Sequence, residues 1–427
     1  MRILWLCSTP ALGAESVGGR PSEGGGWVGA LEAAVKQHPE VELSISFPWT
    51  ETDVRQVASG RHEYLPFPRF PPGGRLRRLL VDASCRLEPQ SAVKHLERVV
   101  EVSRPDLIHV FGTEAFFGRV AEVTRLPVLI ELQGLRAQCT AAYCAGLSKL
   151  DLLRFGLLKR LINGRSLLHQ FYRYRRSAER ERHVLASARF VVGRTDWDHL
   201  ATGAMAPNAT YYHCDRLLRS PFYDAEWRAR AGAGKLQIIS TLRGNPYKGI
   251  ETVAQCCALL QELLPEGFEW TLVGIRPGEE VHRIVERKLR VSFERLGLRL
   301  PGRQPAQRVA HLLTQADIYV HPSRIDNSPN GLSEAMLVGL PVVSTNVGGI
   351  PSLVEHGTDG LLVPPGDPWA MAGAVRRLGE EPDLARRLGA AARARALGRH
   401  DPLRVSETML SIYRAILSAT DGNARTI

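Results

Sequence analysis

Two carboxylates, Asp326 and Glu334, stand eight residues apart around a predicted helix start. Residues 328–331 between them read Ser-Pro-Asn-Gly, and they predict a helix with the serine at the N-cap and the proline in the first turn. The free backbone N–H groups at such a helix start can bind a phosphate. The carboxylates can accept hydrogen bonds from sugar hydroxyls. This segment therefore offers the contacts that a phosphate-bearing sugar needs.

Two basic residues, Arg243 and Lys248, follow another predicted strand. The strand ends at Thr241, and apolar residues at helical spacing begin at Ile250. Two fixed cations in a partly dry cleft stabilise the negative charge that develops on a leaving diphosphate. A lone Lys-Gly sequence is typical of a solvated turn. An arginine at this offset, after a strand and upstream of the two carboxylates, favours a phosphate contact instead.

Strands alternate with helical patterns in both halves of the 427-residue chain, which predicts parallel sheets and an α/β fold. A stretch of weak periodicity before Leu236 marks a domain boundary. We therefore predict a Rossmann-like domain at 1–210, a linker at 211–234, a second Rossmann-like domain at 235–402 and a helical segment at 403–427. Ligands bind beyond the carboxyl ends of the strands in such sheets, and both pairs of candidate residues lie there.

Together these segments resemble the nucleotide-sugar site of retaining GT-B glycosyltransferases, the "glycosyl transferases group 1" family, which is glycosyltransferase family four. That family carries a glutamate, seven residues and a second glutamate. Here Asp326 replaces the first glutamate by a shorter carboxylate, and Glu334 matches the second. The resemblance implies two Rossmann-like domains that face each other across a cleft, with the final helix packed back on the first domain.

The resemblance also implies a role for each residue of the two motifs. Arg243 and Lys248 would grip the diphosphate. Glu334 would bind the ribose, and Asp326 would face the donor sugar. These four are the predicted catalytic residues. The predicted donor-binding residues are Gly25, Gly26, Arg243, Lys248, Asn330, Gly331, Leu332 and Glu334.

The first domain offers further candidates. A glycine-rich loop at 18–26 follows the first predicted strand, where glycine lets the backbone approach a ligand. The GGG sequence is not a GxGxxG motif, so a dinucleotide site is only weakly supported. A purely structural turn is nearly as well supported as a functional loop. The segment PDLIHVFGTE resembles the family's PD-x-x-H-x-H strand, with His109 at the first histidine and Phe111 in place of the second. We predict acceptor or sugar contacts from His109, Glu114 and Gln133, with a buried role as the alternative for His109.

The sequence predicts neither a metal nor a cofactor. Residues 196–198, Asp-Trp-Asp, match the DxD pattern of the GT-A fold, but they lie late in the first domain and GT-B enzymes generally work without a metal. His321 has no second ligand at metal-binding spacing. The seven cysteines are scattered without a CxxC pair, which fits free thiols in a reducing cytoplasm.

The composition, with 44% hydrophobic and 23% charged residues, is typical of a soluble globular protein. No apolar run approaches the ~18 residues of a spanning helix. The net charge is +11, and residues 149–183 contain ten Lys/Arg against three Asp/Glu. Three interpretations compete: a solvated helical face, a surface for anionic lipid headgroups, and nucleic-acid binding. The last is least favoured, because no nucleic-acid motif accompanies the charge.

We therefore predict a retaining glycosyltransferase that moves a sugar from a nucleoside-diphosphate sugar to a hydroxyl of a glycan or lipid-linked acceptor. Its expected role is in cell-surface polysaccharide synthesis, in the cytoplasm and at the inner face of the membrane, without nucleic acid as a partner. The alternatives are an inactive GT-B scaffold subunit of a glycan assembly complex, a sugar phosphorylase and a nucleotide-sugar epimerase. The donor base, the sugar and the acceptor stay open.

Overall fold

The computed structural model describes residues 1–19, 26–50, 53–68, 84, 88, 91–230 and 234–424. The chain divides into two compact units. Unit 1 comprises Met1–Ala137, Arg175–Leu217 and His400–Ile427, and unit 2 comprises Gln138–Tyr174 and Leu218–Arg399. Each unit is built on its own sheet.

The strands within the described ranges are mostly short and apolar. They are β1 Arg2–Leu6, β2 Glu42–Trp49, β3 Val57–Ser59, β4 His62–Pro68, β5 Leu107–Phe111, β6 Val128–Glu131, β7 Phe190–Gly193, β8 Thr210–His213, β9 Leu236–Thr241, β10 Phe268–Val273, β11 Leu298–Gly302, β12 Ile318–His321, β13 Val342–Thr345 and β14 Leu361–Val363.

The α-helices within the described ranges connect the strands or follow the last of them. They are α1 Gly26–Val35, α2 Ser91–Ser103, α3 Arg136–Ala142, α4 Lys149–Arg154, α5 Leu158–Ile162, α6 Leu167–Ala186, α7 Asp196–Met205, α8 Pro221–Asp224, α9 Ile250–Leu263, α10 Glu280–Leu289, α11 Ala306–Gln315, α12 Asn330–Val338, α13 Pro368–Glu380, α14 Pro382–Arg399 and α15 Pro402–Ala424. None of these helices is both long and apolar enough to cross a membrane.

The sheet of unit 1 has the order β3-β4-β2-β1-β5-β6-β7-β8, and only the β3–β4 pair is antiparallel. Its central strand β5 is buried along its whole length, as expected for a parallel strand covered on both faces. The C-terminal helix α15 packs on α1 within this unit. There the indole Nε1 of Trp5 donates a hydrogen bond to Tyr413 Oη at 3.0 Å.

The sheet of unit 2 has the order β11-β10-β9-β12-β13-β14, and all of its strand pairs are parallel. Strands β9 and β12 are neighbours, so their carboxyl ends lie at the same edge. The helix α12 follows β12 and is buried at every position from Leu332 to Val338. Such an apolar helix belongs inside a domain core rather than on its surface, which places Glu334 in the interior.

The compact units differ from the predicted domains at residues 138–174. We expected this segment in the first domain, but its side chains Leu147, Leu152, Leu167 and Phe171 are part of the hydrophobic core of unit 2. The buried Glu280 also accepts a hydrogen bond from the backbone N–H of Leu167 at 3.0 Å. Apolar burial against unit 2 therefore determines where the segment belongs. The predicted linker is likewise divided, because residues up to Leu217 lie with unit 1 and those from Leu218 with unit 2.

Candidate nucleotide-sugar site

The two predicted motifs come together after the neighbouring strands β9 and β12. The register pairs Ile318 with Ile238 and Tyr319 with Ile239. The loop after β9 carries Arg243 and Lys248, and the loop after β12 carries Asp326. The ammonium Nζ of Lys248 lies 2.5 Å from Asp326 Oδ2. The structure thus joins one residue of each motif in an ion pair.

Gly249 allows the two loops to approach each other. Its φ of 72° is in the left-handed region, and it precedes α9. A Cβ at this position would lie 2.0 Å from the carbonyl oxygen of Pro322. No side chain larger than hydrogen fits there without moving the backbone that leads to Asp326.

We expect Gly249→Ala to separate the paired loops and to weaken donor binding. The matched control is Gly357→Ala, because Gly357 has a φ of 78° but nothing within 4 Å of a built Cβ. Both variants pay the left-handed backbone strain, on the order of 1–2 kcal/mol, and only Gly249→Ala adds the collision with Pro322. Unfolding midpoints and donor titrations of both proteins measure the difference. Equal losses in the two variants would contradict the close approach.

Asp326 is held by several neighbours besides Lys248. His321 Nε2 donates to Asp326 Oδ2 at 3.0 Å, and the N–H of Asn327 donates to Oδ1 at 3.2 Å. Burial alone would raise the pKa of Asp326, but the ammonium of Lys248 and the hydrogen bond from His321 outweigh it and hold the pKa well below its usual range. Asp326 is therefore a fixed anion at neutral pH.

His321 supports this carboxylate and is itself buried. Burial lowers its pKa more than the carboxylate of Asp326 raises it, so the imidazole is neutral at neutral pH. Because Asp326 is ionised, the proton of the neutral ring lies on Nε2. This contact was not predicted, although the position of His321 at a strand end, five residues before Asp326, is visible in the sequence.

A glycine turn after β13 closes on the backbone of Asp326. The N–H of Gly349 donates to the carbonyl oxygen of Asp326 at 3.1 Å. Gly348 has a φ of 52°, and a Cβ there would lie 2.0 Å from the same oxygen. The backbone on both sides of the Asp326 side chain is therefore fixed by contacts that need glycine.

The helix α12 begins one residue later than predicted. Its N-cap is Pro329, with ψ at 121°, and no side chain caps the first turn, so Ser328 is not the N-cap. Extended backbone at Pro329 means that helical geometry starts at Asn330. An end without a side-chain cap suits phosphate binding.

Close packing brings the start of α12 onto the end of β9. A Cβ on Gly331 would lie 1.9 Å from Thr241 Oγ1. Leu332 has a buried side chain, and its N–H donates to the carbonyl oxygen of Pro329 at 3.1 Å. This geometry supports Asn330 and Gly331 as phosphate contacts and argues against a direct donor contact by Leu332.

Arg219 forms a bidentate ion pair with Glu334. Its Nε lies 2.8 Å from Oε1, and its Nη2 lies 2.8 Å from Oε2. Burial raises the pKa of Glu334, and the guanidinium of Arg219 opposes that shift. Arg219 lies 115 residues before Glu334 in the predicted linker, and no spacing in the sequence connects the two. Arg219 was therefore not among the predicted site residues.

Arg243 differs from the other three predicted catalytic residues. Its side chain is exposed at the loop after β9, and it forms no ion pair with any residue in the described ranges. Lys248 and Glu334, by contrast, each hold a partner of opposite charge. An anion can therefore bind the guanidinium of Arg243 without displacing a carboxylate from it.

The unit 1 candidates lie in different surroundings. His109 is fully buried, with Nδ1 2.7 Å from Tyr413 Oη and its ring stacked on Phe111 at 4.2 Å. Phe111 also packs against Trp5 and Trp27. This burial argues against an acceptor contact by His109 and favours the alternative that it is a core residue. Phe111 fills the position of the family's second histidine with an apolar ring.

Glu114 and Gln133 remain predicted acceptor contacts. Both are partly exposed, and both lie beside Gly112, where a Cβ would be 2.0 Å from Glu114 Oε2 and 3.4 Å from the side chain of Gln133. Two glycines of the loop at 18–26 were predicted to bind the donor. Gly26 is the first residue of α1, whereas Gly25 lies outside the described residues.

The Asp-Trp-Asp sequence of unit 1 is part of a helix start. Thr195 and Asp198 form a capping box at α7, and the buried Asp198 also accepts hydrogen bonds from the N–H of Arg194 and from Tyr211 Oη. Within the described ranges, no group of three or more His, Cys, Asp or Glu side chains is arranged to hold a metal ion.

Known proteins resemble the part of the chain that carries this site. Residues 235–381 match the family model described as "Glycosyl transferases group 1". WcaL of Escherichia coli K12, provisionally named as a colanic acid biosynthesis glycosyltransferase, is 37% identical over 153 residues, which cover 34% of this chain and 36% of WcaL. The amylovoran biosynthesis glycosyltransferase AmsK of Erwinia amylovora is 33% identical over 157 residues, 34% of this chain and 36% of AmsK. The chain thus spans about a third of the length of these relatives.

Solved structures match over nearly the whole chain at low identity. Sucrose-phosphate synthase from Thermosynechococcus elongatus has a TM-score of 0.72 and 18% identity, and covers 98% of this chain and 99% of its own. HepE of Anabaena, solved with UDP-glucose, has a TM-score of 0.61 and 18% identity, and covers 97% of this chain and 100% of its own. The predicted fold is therefore confirmed, because the chain has a GT-B fold, and the predicted resemblance to the Glycosyl transferases group 1 family is confirmed over residues 235–381.

Proposed function

We propose that this protein is a retaining glycosyltransferase that moves a sugar from a nucleoside-diphosphate sugar to a hydroxyl group during the synthesis of a cell-surface polysaccharide. The observation that carries the proposal is the Lys248–Asp326 ion pair at the carboxyl ends of β9 and β12. It lies inside the matched segment. The UDP-glucose bound to HepE and the polysaccharide named for AmsK support the donor class and the pathway class.

The cations of the loop after β9 would bind the donor diphosphate. Arg243 is exposed and meets the phosphate directly, while Lys248 is held in place by Asp326. The start of α12 adds backbone N–H groups at Asn330 and Gly331. As the glycosidic bond breaks, negative charge grows on the diphosphate, and these fixed groups stabilise it without reorganising.

Asp326 would orient the donor sugar. It is anionic at neutral pH and fixed by Lys248 and His321, so it can accept hydrogen bonds from sugar hydroxyls and stabilise positive charge at the reacting carbon. In this proposal the leaving phosphate deprotonates the acceptor hydroxyl, which attacks from the same face. The mechanism requires neither a nucleophile from the protein nor a metal ion.

Glu334 would bind the ribose, and Arg219 would be its positioning residue. Each carboxylate oxygen receives one hydrogen bond from the guanidinium, and each retains a lone pair for a ribose hydroxyl. The guanidinium also favours the ionised form of a carboxylate that burial disfavours. Arg219 thereby fixes both the direction and the charge of Glu334.

A thermal-shift screen tests the donor proposal. We expect one nucleotide class among UDP-, GDP-, ADP- and dTDP-sugars to raise the unfolding temperature. At 100 times its dissociation constant, a bound donor should raise the free energy of unfolding by roughly 2.7 kcal/mol. The shift should persist with EDTA, because Arg243 and Lys248 take the place of a metal. Loss of the shift with EDTA would contradict the metal-free site, and no shift with any donor would contradict the donor site itself.

A transfer assay with the donor identified in that screen separates the alternatives. A sugar phosphorylase requires inorganic phosphate as co-substrate, and an epimerase converts the donor without an acceptor. An inactive scaffold subunit neither transfers nor hydrolyses the donor. The proposed enzyme releases the nucleoside diphosphate only as the sugar appears on an acceptor or on water, with the anomeric configuration retained.

A further inference from the structure

Residues 149–162 of unit 2 form a surface, here called the docking surface, that exposes large apolar side chains. Ten large apolar side chains are exposed within the described ranges, and four of them lie in these 14 residues. Single exposed leucines are ordinary, but a cluster marks an interaction site. The four side chains and their exposed fractions are Leu150 67%, Leu153 54%, Leu158 71% and Ile162 72%.

The spacing of these residues places each pair on one helix face. Leu150 and Leu153 are three residues apart on α4, and Leu158 and Ile162 are four apart on α5. The inward side of α4 is apolar as well, because Leu152 is fully buried in the core of unit 2. The outward apolar faces are thus additional to the faces that fold the segment.

Specific contacts hold the docking surface in place. Ser148 and Asp151 form a capping box at the start of α4. The Nζ of Lys288 donates to Asp151 Oδ2 at 2.8 Å. Arg287 Nη1 donates to the carbonyl oxygen of Phe155 at 3.2 Å, in the loop between α4 and α5. Two side chains of α10, Lys288 and Arg287, therefore fix α4 and the loop after it to unit 2.

The charge of the docking surface is positive. Residues 149–162 contain four basic residues and one acidic residue, Asp151, and the carboxylate of Asp151 is already paired with Lys288. Arg160 is paired with the buried Glu280, whereas Lys149 and Arg154 are exposed. Exposed leucines beside these two basic side chains match the boundary of an anionic bilayer, where acyl chains and phosphates lie within one side-chain length. A nucleic acid offers phosphates but no apolar partner for four aliphatic side chains.

We propose that residues 149–162 dock unit 2 on an anionic lipid bilayer. Leu150, Leu153, Leu158 and Ile162 enter the headgroup region, and the exposed side chains of Lys149 and Arg154 bind lipid phosphates. The proposed lipid-binding segment is shorter than the basic segment predicted at 149–183. Residues from Arg175 onward belong to unit 1, and Arg180 is paired with Glu88. This inference stands on the surface itself and does not depend on the proposed transfer reaction.

The docking surface and the nucleotide-sugar site belong to the same packed body. Leu152 shares a hydrophobic core with Tyr143. The ring of Tyr143 lies 6.0 Å from that of Tyr247, the residue before Lys248. Docking would therefore hold the site of Lys248 at a bilayer, where a lipid-linked hydroxyl acceptor is presented.

Vesicle flotation tests the proposal. We expect the whole protein to bind phosphatidylcholine vesicles that contain phosphatidylglycerol, to release them in high salt, and not to bind phosphatidylcholine alone. Lys149→Gln combined with Arg154→Gln should lower the partition coefficient roughly 20- to 30-fold, since each basic side chain contributes about fivefold. Serine at all four apolar positions should abolish binding. The matched control is Leu200→Ser with Leu403→Ser, exposed by 77% and 64%, which should bind as the parent does.

Four results would overturn the proposal: no binding to anionic vesicles, equal binding to neutral ones, equal losses in the control, or a dimer in sedimentation velocity that the serine variant dissociates. The last result would assign the surface to a second copy of the chain. Unchanged unfolding midpoints show that the variants fold. An unchanged donor thermal shift in the serine variant shows that a failure here is independent of the donor site.

Discussion

Replacing Lys248 by alanine is expected to lower kcat on the order of 10²–10³-fold while the protein stays folded. The ammonium lies 2.5 Å from Asp326 and is fixed before any donor arrives. Its removal takes away a cation at the leaving diphosphate and leaves the carboxylate of Asp326 without its strongest partner, so the pKa of Asp326 rises. Steady-state kinetics with the donor found by thermal shift measures the effect.

The matched control for Lys248→Ala is Lys288→Ala. Lys288 also pairs with an aspartate of unit 2, Asp151, at 2.8 Å. That variant loses a partly exposed ion pair without touching the nucleotide-sugar site, and we expect it to keep its turnover. If Lys248→Ala retains full turnover, or if both variants lose turnover equally, the assignment of Lys248 to the diphosphate is wrong.

The meeting of Lys248 with Asp326 could be predicted because it follows from topology. Each residue comes after a short apolar strand, and parallel strands deliver their carboxyl ends to one edge. The two glycine approaches, at Gly249 and Gly348, were also visible as glycines, but their function depends on backbone oxygens of residues distant in sequence. The sequence shows which residues are glycine, but it does not show which backbone atoms a side chain at those positions would contact.

Other features of the structure depend on tertiary packing, which the sequence pattern alone does not determine. Residues 138–174 carry a helical pattern that suits burial against either unit, and only the packing of Leu152 and Phe171 with the core of unit 2 decides between them. Helix α12 begins one residue after the predicted start, because the backbone of Pro329 is extended and the N-cap is Pro329, not Ser328. Arg219 was missed for a similar reason, since its partner on α12 is fixed by tertiary packing alone.

Replacing Arg219 by glutamine is expected to destabilise the protein by about 3–5 kcal/mol at neutral pH, the typical cost of removing one partner from a buried ion pair. Glu334 is buried, and both of its oxygens accept hydrogen bonds from Arg219. Without the guanidinium a buried carboxylate has no compensating cation. Donor affinity should fall as well, because Glu334 then loses its orientation toward the ribose. Denaturant unfolding and donor titration measure the two effects.

The stability loss in Arg219→Gln should depend on pH in a defined direction. Burial raises the pKa of Glu334, and removing the opposing guanidinium raises it further. Between the unfolded and the folded pKa, the folded state binds more protons than the unfolded state, so stability falls as pH rises through that window. The deficit relative to the parent protein is therefore small in acid, where Glu334 is protonated, and is complete above the raised pKa.

Glu334→Gln in the Arg219→Gln background removes the group whose ionisation causes the pH dependence. We expect this double variant to recover much of the lost stability at neutral pH and to lose the pH-dependent deficit, because a neutral amide needs no cation. Its donor affinity should stay low, since an amide presents one acceptor oxygen where the carboxylate presented two. A deficit that persists unchanged in the double variant would show that Arg219 acts through its contact with the Phe222 ring, 4.8 Å away, and not through Glu334. Recovery of stability without recovery of donor binding would separate the two roles of the pair: Arg219 makes a buried charge tolerable, and Glu334 requires that charge only to hold the donor.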